Sequence, residues 1–113
     1  ASAGHCTNLA LVERELVILR STGPLLMLDR NAHYASREVA FGTEDLLLLY
    51  TDGLVEARNS SNAQFGTERI GQHLRREATS AAEVLAKSLL DSAVDHASGQ
   101  LNDDLTVLAV RRK

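Results

Sequence analysis

Aspartates beside apolar segments are the residues of this sequence best suited to chemistry. Asp52 follows the apolar run Leu46–Tyr50, and the pair Asp103-Asp104 precedes the apolar segment Leu105–Val110. Carboxylate oxygens suit hard divalent cations such as Mg²⁺ or Mn²⁺, whereas Zn²⁺ prefers His and Cys. Two such ions close together can acidify a bridging water and hold a phosphoryl group. The residue types therefore favour a divalent-metal site.

The run Leu46–Tyr50 is expected to position Asp52. It is short, and Gly42–Asp45 before it and Asp52-Gly53 after it are turn signals, so it is typical of a fully buried strand. Asp52 would then lie at the carboxyl end of that strand. Gly53 has no Cβ, so it is free to take a positive φ and to let a ligand approach closely. The alternative is that Asp-Gly is only a hairpin turn.

The second cluster, Asp103-Asp104, is expected to open the last strand, Leu105–Val110. We expect neither acidic cluster to lie in a helix. If the strands at Leu46–Tyr50 and Leu105–Val110 are antiparallel neighbours, the end of the first meets the start of the last, and both clusters converge on one sheet edge. The alternative for Asp103-Asp104 is a solvated charge pair in a helix-to-strand loop.

Other strands are predicted in the first part of the chain. Leu9–Val12 and Leu16–Arg20 favour a hairpin with a charged turn, although a single helix through this segment is the alternative because Leu, Glu and Arg favour helix. Tyr34–Phe41 roughly alternates between apolar and polar residues and predicts a strand. The turn Gly42–Asp45 would pair it antiparallel with Leu46–Tyr50.

Two helices are predicted before the last strand. The first begins at about Thr67, with Ile70 and Leu74 on its inner face. The second begins with Ser80–Glu83, which has the form of a capping box, and ends near Ser98-Gly99. Strands followed by helices and a final strand indicate an α+β fold.

Composition restricts the partners. The chain has 113 residues, 44% of them hydrophobic, enough for one domain. A net charge of -3 argues against nucleic acid or an anionic membrane as partner, and the short basic end Arg111-Arg112-Lys113 is expected to be solvated. The single cysteine, Cys6, excludes an internal disulfide and is expected to be a small buried residue. No signal peptide or transmembrane segment is seen, so we expect a cytoplasmic protein, and the start at Ala1 without Met indicates a piece of a longer chain.

Four segments together show a resemblance to a known family. They resemble the carboxy-terminal half of the PP2C-like (PPM) serine phosphatases of the SpoIIE and RsbU type, in order and spacing across essentially the whole chain. Tyr-Thr-Asp-Gly and Asp-Asp-Leu-Thr-Val are specific in combination. The segments are Ser2–His5, Leu46–Asn59, Phe65–Ile70 and Asn102–Val110.

The resemblance implies a PPM-type α-β-β-α sandwich with antiparallel sheets. It also implies hydrolysis of phosphoserine or phosphothreonine with two Mn²⁺ or Mg²⁺ ions and an activated water. The substrate would be a phosphoprotein of the anti-anti-sigma type, and a sensor domain would be attached upstream. By position, Asp52 and Asp103 match metal ligands of the family, and Gly53 and Asp104 match the residues beside them.

Two departures from the family accompany the resemblance. The amino-terminal half with the remaining metal-binding Asp-Gly segment is missing, so residues 1–113 are expected to form one partial domain with little activity alone. A half-sandwich is also expected to dimerise or to swap strands. The family often has a second glycine where this chain has Leu26 or Met27, which affects the expected backbone there. The alternatives are a degenerate phosphatase-like module that binds a partner without catalysis, and a structural α+β domain.

Overall fold

One antiparallel sheet and three helices form the fold in a computed structural model that describes residues 1–113. The strands lie side by side in the order β2-β1-β3-β4. Strand β3 is therefore central, with β1 on one side and β4 on the other. The elements are β1 (Asn8–Val12), β2 (Glu15–Leu19), β3 (Leu46–Tyr50), α1 (Asp52–Glu56), α2 (Gly66–Arg76), α3 (Ala82–His96) and β4 (Val107–Arg111).

The predicted first hairpin is confirmed. Strands β1 and β2 pair antiparallel with Val12 opposite Glu15, so Glu13 and Arg14 alone form the turn. Both turn residues have positive φ, 48° and 68°, which is the conformation of the type I′ turns that suit two-residue hairpins. The backbone N–H of Glu13 also donates to the carboxylate of Asp45 at 2.8 Å. The alternative of a single helix through this segment is wrong.

The predicted strand Tyr34–Phe41 is wrong. These residues form no regular element, and most of them are exposed. The reason is topological: both edges of β3 are already hydrogen bonded, to β1 and to β4. Strand β3 therefore has no free edge with which this segment could pair. Alternating polarity over this segment could not indicate that β3, its expected partner, already pairs with two other strands.

The core lies on one face of the sheet. Alternate residues of β3 are buried, because Leu46, Leu48 and Tyr50 face the helices while Leu47 and Leu49 are only partly buried on the opposite face. The expectation of a fully buried β3 is therefore wrong, since no second layer of this chain covers that face. The largest buried side chains of the core are Leu9, Leu46, Leu48, Leu54, Ile70, Leu74, Leu85 and Leu89.

The helices begin close to the predicted positions, but the capping box is wrong. Helix α3 begins at Ala82 with Ala81 as N-cap and no side-chain cap, and the hydroxyl of Ser80 donates instead to the carboxylate of Glu77 at 2.5 Å. The helix ends as expected, because the N–H of Gly99, at φ 77°, donates to the carbonyl of Val94 at 3.0 Å. None of the helices is long and apolar enough to cross a membrane.

A buried histidine links α2 to α3. The guanidinium of Arg76 lies 3.0 Å from Nδ1 of His73, and the hydroxyl of Ser88 lies 2.8 Å from Nε2. Because a guanidinium can only donate, Nδ1 accepts and the ring proton is on Nε2, which donates to Ser88. Burial first, and then the Arg76 charge, lowers the pKa of His73, while the carboxylate of Glu77 partly opposes this.

Candidate metal edge

Strands β3 and β4 bring the two acidic clusters to one edge of the sheet. They pair antiparallel, with Tyr50 opposite Val107, so the end of β3 lies beside the start of β4. Asp52 comes directly after β3, and Asp103 and Asp104 come shortly before β4. The conditional expectation that these strands are antiparallel neighbours is confirmed.

Thr51 links the end of β3 to the segment before β4 by hydrogen bonds. Its backbone N–H donates to the carbonyl of Thr106 at 3.1 Å, and its hydroxyl donates to the carbonyl of Asp104 at 3.3 Å. The same hydroxyl accepts the N–H of Thr106 at 3.1 Å. No role for Thr51 was predicted, because a threonine after an apolar strand does not indicate a hydrogen-bond partner 53 residues later in the chain.

Asp52 lies in a helix, so the expectation that neither acidic cluster is helical is wrong for this residue. It is the first residue of the short helix α1, and Thr51 is the N-cap. The N–H of Leu54 donates to the carbonyl of Thr51 at 3.1 Å and closes the first turn of the helix. Asp52-Gly53 therefore begins a helix, and the alternative of a hairpin turn is wrong. An acidic residue in a first helical turn is favoured by the helix dipole. The side chain is exposed and contacts only the N–H of Gly53, at 3.1 Å.

Gly53 is required for a different reason from the expected one. Its φ is not positive, and the group that approaches it is the backbone of this chain. A Cβ at this position would lie 2.5 Å from the carbonyl oxygen of Asp104 and 3.3 Å from the side chain of Leu105. Gly53 therefore lets α1 pack directly against the segment that carries Asp103 and Asp104.

The chemistry of the exposed oxygens fits a hard divalent cation. Asp52, Asp103 and Asp104 are all exposed, and Asp103 uses one oxygen to accept the N–H of Asp104 at 2.8 Å. No group of three or more His, Cys, Asp or Glu side chains in residues 1–113 is arranged to hold a metal ion. The edge therefore offers a part of a coordination sphere made of carboxylates alone.

A small polar cleft opens at this edge. It has a volume of about 280 Å³ and lies between α1 and the segment before β4. Five of its six lining residues are polar or lack a side chain. Such a cleft suits a charged or hydrogen-bonding group better than an apolar one. The lining residues are Gly53, Glu56, Ala57, Arg58, Asn102 and Asp103.

Cys6 lies next to the edge but has the properties of a packing residue. Its thiol donates to the carbonyl of Tyr50 at 3.1 Å and lies 3.2 Å from Nδ1 of His5. Burial, and then the charge of Asp52, raises the pKa of the Cys6 thiol. Burial also raises the pKa of Tyr50 to about 12, with Cys6 as the second cause. Both groups therefore stay protonated at neutral pH, which disfavours a thiolate nucleophile.

The loop after β2 carries the other departure from the family. Met27 has φ 66°, in the left-handed region that favours glycine, and its side chain is 100% exposed. The loop is anchored to the amino terminus, because the N–H of Gly4 donates to the carbonyl of Gly23 at 3.0 Å. Met27 thus adopts a backbone conformation that glycine adopts more easily.

The antiparallel sheet with helices on one face matches the fold of solved PP2C phosphatase domains. The family described as Stage II sporulation protein E (SpoIIE) matches residues 1–113. The chain belongs to this family. The predicted resemblance to SpoIIE- and RsbU-type proteins and the predicted α+β fold are thereby confirmed.

Individual relatives agree with this assignment. The phosphoserine phosphatase RsbU of Bacillus subtilis is 25% identical over 115 residues, covering 100% of this chain and 34% of RsbU. The PP2C domain of SiaA from Pseudomonas aeruginosa superposes with a TM-score of 0.78 at 21% identity, over 98% of this chain and 44% of that domain. The SpoIIE phosphatase domain of Bacillus subtilis, soaked with Mn, gives 0.71 at 18% identity, over 97% and 48%.

The coverage shows that this chain corresponds to a part of its relatives. It spans about a third of RsbU and just under half of the solved phosphatase domains. The fold described above therefore matches part of a solved PP2C phosphatase domain.

Proposed function

We propose that this chain is the carboxy-terminal part of a single phosphatase domain, and that the complete domain is a metal-dependent protein serine/threonine phosphatase. The observation that carries the proposal is the position of Asp52 and Asp103 at the adjoining ends of β3 and β4. Family membership and the name of RsbU, a phosphoserine phosphatase, support the reaction class.

In this proposal Asp52 and Asp103 hold Mn²⁺ or Mg²⁺ together with ligands from the rest of the domain. Two bound ions would supply an activated water and would neutralise phosphoryl charge. Thr51 and Gly53 set the spacing of the two ligands, because the first bonds to the Asp104 carbonyl and the second contacts it. Asp104 provides the carbonyl oxygen of these two contacts, and its exposed carboxylate lies beside the proposed ligand Asp103.

We further propose that the substrate is a phosphoprotein regulator of the anti-anti-sigma type, controlled through a sensor domain upstream. Relatives of the RsbU and SpoIIE type support a signalling role. The net charge of -3 argues against nucleic acid as the partner.

Calorimetric titration of Mn²⁺ tests the metal site. We expect tight binding in a longer protein that restores the whole domain and weak or no binding in residues 1–113 alone, because this chain supplies only part of a ligand set. If neither protein binds Mn²⁺, the aspartates are turn residues, and the alternative of a module that binds a partner without catalysis replaces this proposal.

Hydrolysis of p-nitrophenyl phosphate and of a phosphoserine peptide tests the reaction. The complete domain should hydrolyse both in the presence of Mn²⁺ and neither after chelation, whereas the isolated chain should show little or no activity. Robust Mn²⁺-dependent hydrolysis by residues 1–113 alone would contradict the proposal that the site is assembled from both parts of the domain.

A further inference from the structure

An apolar groove lies beside the metal edge. It has a volume of about 460 Å³ and is formed between α3 and the segment that leads into β4. Its apolar walls are Leu90 and Val94 of α3, with Leu101 and Leu105 opposite. Val94 is 36% exposed and Leu101 is 40% exposed, so the groove presents aliphatic surface to solvent.

The packing of the chain itself does not account for this surface. Helix α3 contacts the core through Leu85, Leu89 and Ala93, which are all fully buried. Leu90 and Val94 lie on a different side of the helix, where Leu90 is partly buried and Val94 is 36% exposed. Contiguous exposed apolar surface with a polar rim is typical of an interaction site.

The groove is continuous with the proposed catalytic edge. Asn102 and Asp103 line both the apolar groove and the polar cleft that contains Gly53. A polypeptide that presents a phosphorylated side chain to Asp103 can therefore place a neighbouring residue in the groove. The only charged residues that line the groove are Asp103 and Asp104, so a carboxylate in the bound segment is disfavoured. The four aliphatic side chains of the lining favour an aliphatic partner.

We propose that this groove binds an aliphatic side chain close to the phosphoserine in the substrate protein, and that Val94 and Leu101 determine sequence specificity. The inference rests on the proposed phosphatase function, because the phosphoserine is what brings the segment to the edge. The volume lies within the range of roughly 300–1,000 Å³ that is usual for binding pockets. The occupant is an extended segment of a phosphoprotein, with leucine or a residue of similar size as anchor.

Peptides provide the test. The complete protein is assayed with phosphoserine peptides in which one leucine is moved through the positions on either side of the phosphoserine. A leucine-free peptide and p-nitrophenyl phosphate are the references. We expect leucine at one position to raise kcat/KM by about tenfold, the gain for burying much of one aliphatic side chain.

Variants then assign the preference to the groove. Val94→Asp places a carboxylate in the groove and should abolish the leucine preference, measured as the ratio of kcat/KM for the leucine peptide to kcat/KM for the leucine-free peptide. Val84→Asp is the matched control, because Val84 is an exposed valine of the same helix that does not line the groove. Leu101→Ser should reproduce the effect from the other wall, in case Val94→Asp disturbs the helix.

The possible outcomes separate the two proposals. If the complete protein hydrolyses p-nitrophenyl phosphate and the leucine-free peptide but no leucine position matters, the groove inference is wrong and the phosphatase proposal stands. A preference that survives both Val94→Asp and Leu101→Ser also overturns the inference. If none of the substrates is hydrolysed, the proposed function fails and the groove inference fails with it.

Discussion

At the scale of single residues, Asp52 and Gly53 are neighbours with separate roles. Asp52 is exposed, and its side chain contacts only the next N–H, so the folded structure depends little on its charge. Gly53 is buried against the Asp104 carbonyl and is fixed by packing. One residue can therefore be changed to test metal binding, and the other to test the geometry of the edge.

Asp52→Asn should weaken Mn²⁺ binding to the complete domain by at least about tenfold while leaving the fold intact, because surface changes usually alter stability by less than about 0.5 kcal/mol. Calorimetric titration measures the affinity, and thermal unfolding in metal-free buffer measures stability. Asp95→Asn, an exposed aspartate of α3, is the control and should change neither. A large loss of stability in metal-free buffer would show that Asp52 is structural.

Gly53→Ala should destabilise the chain by about 1–3 kcal/mol, the usual cost of forcing extra atoms into a packed site. The new Cβ would lie 2.5 Å from a backbone oxygen, so the segment with Asp103 must move. Urea unfolding followed by far-UV circular dichroism suits this chain, which has no tryptophan. Gly42→Ala is the matched control, because its Cβ would meet only the Asp45 carboxylate, at an ordinary 3.5 Å. Equal losses from both variants would contradict the steric explanation.

The sequence predicted that Asp52 lies at the end of β3, but it did not predict what Gly53 contacts. An apolar run that ends at Asp-Gly is a local pattern, and local patterns place strand ends well. The contact of Gly53 with Asp104 depends on the register between β3 and β4, which three helices separate in sequence. No local signal reports such a register, and the same reason hid the role of Thr51.

At the scale of elements, His73 makes the packing of α2 against α3 sensitive to pH. Its folded-state pKa is lowered below the ordinary 6.5 by burial and by Arg76. The unfolded chain therefore binds more protons than the folded chain, and stability rises with pH in that window. The contribution is fully present above about pH 7 and is lost as the pH falls through the ordinary value towards the lowered folded-state value.

Urea unfolding of the chain between about pH 7 and about pH 5 should show a falling free energy of unfolding, and His73→Gln should make this fall smaller. Glutamine keeps a donor that can reach Ser88 but cannot be protonated. His33→Gln, at an exposed position, is the control and should keep the full pH dependence. An unchanged slope in His73→Gln would show that carboxylates cause the fall.

The element predictions succeeded where the signal was local and failed where it depended on partners. Alternating and apolar runs located β1, β2, β3 and β4, and helical spacing located α2 and α3. The segment Tyr34–Phe41 has a strand pattern, but β3 had no free edge to pair with it. The capping box failed because Glu77 competed for the hydroxyl of Ser80.

At the scale of the whole molecule, the sheet has one face covered by helices and one face open. The open face carries alternate residues of the strands, among them Leu47 and Leu49 of β3 and the more exposed Leu108 and Val110 of β4. In the SpoIIE-type domains that this chain matches, just over half of the domain lies outside the matched part. Residues 1–113 alone therefore expose apolar surface that the complete domain has the means to cover.

The isolated chain should consequently self-associate, and Leu108→Glu should shift it towards the monomer, because a charge on the open face opposes its burial. Sedimentation velocity over a range of concentrations measures this. Val84→Glu is a matched control, since Val84 and Leu108 are each 54% exposed but Val84 lies on a helix. A monomeric parent chain, or an equal effect of both variants, would contradict association through the sheet face.

At this scale the sequence predicted the family and the fold class, through the combination of Tyr50–Gly53 with Asp103–Val107. That residues 1–113 form a partial domain stays a prediction. The sequence did not predict the exposed apolar groove between α3 and β4. That groove exists because Leu101 of a loop and Val94 of a helix line the same depression, and this depends on how the helix docks.

The strand order also has a consequence for synthesis on the ribosome. The carbonyl partners of Thr51 belong to Asp104 and Thr106, so Asp52 leaves the ribosome long before the residues that fix its surroundings have been translated. Domains fold as units as they emerge. A nascent chain that ends before residue 103 would carry Asp52 without its neighbour Asp103. Under the proposed function such a chain cannot form the metal site, so hydrolysis of a regulator waits until the segment that leads into β4 has been made.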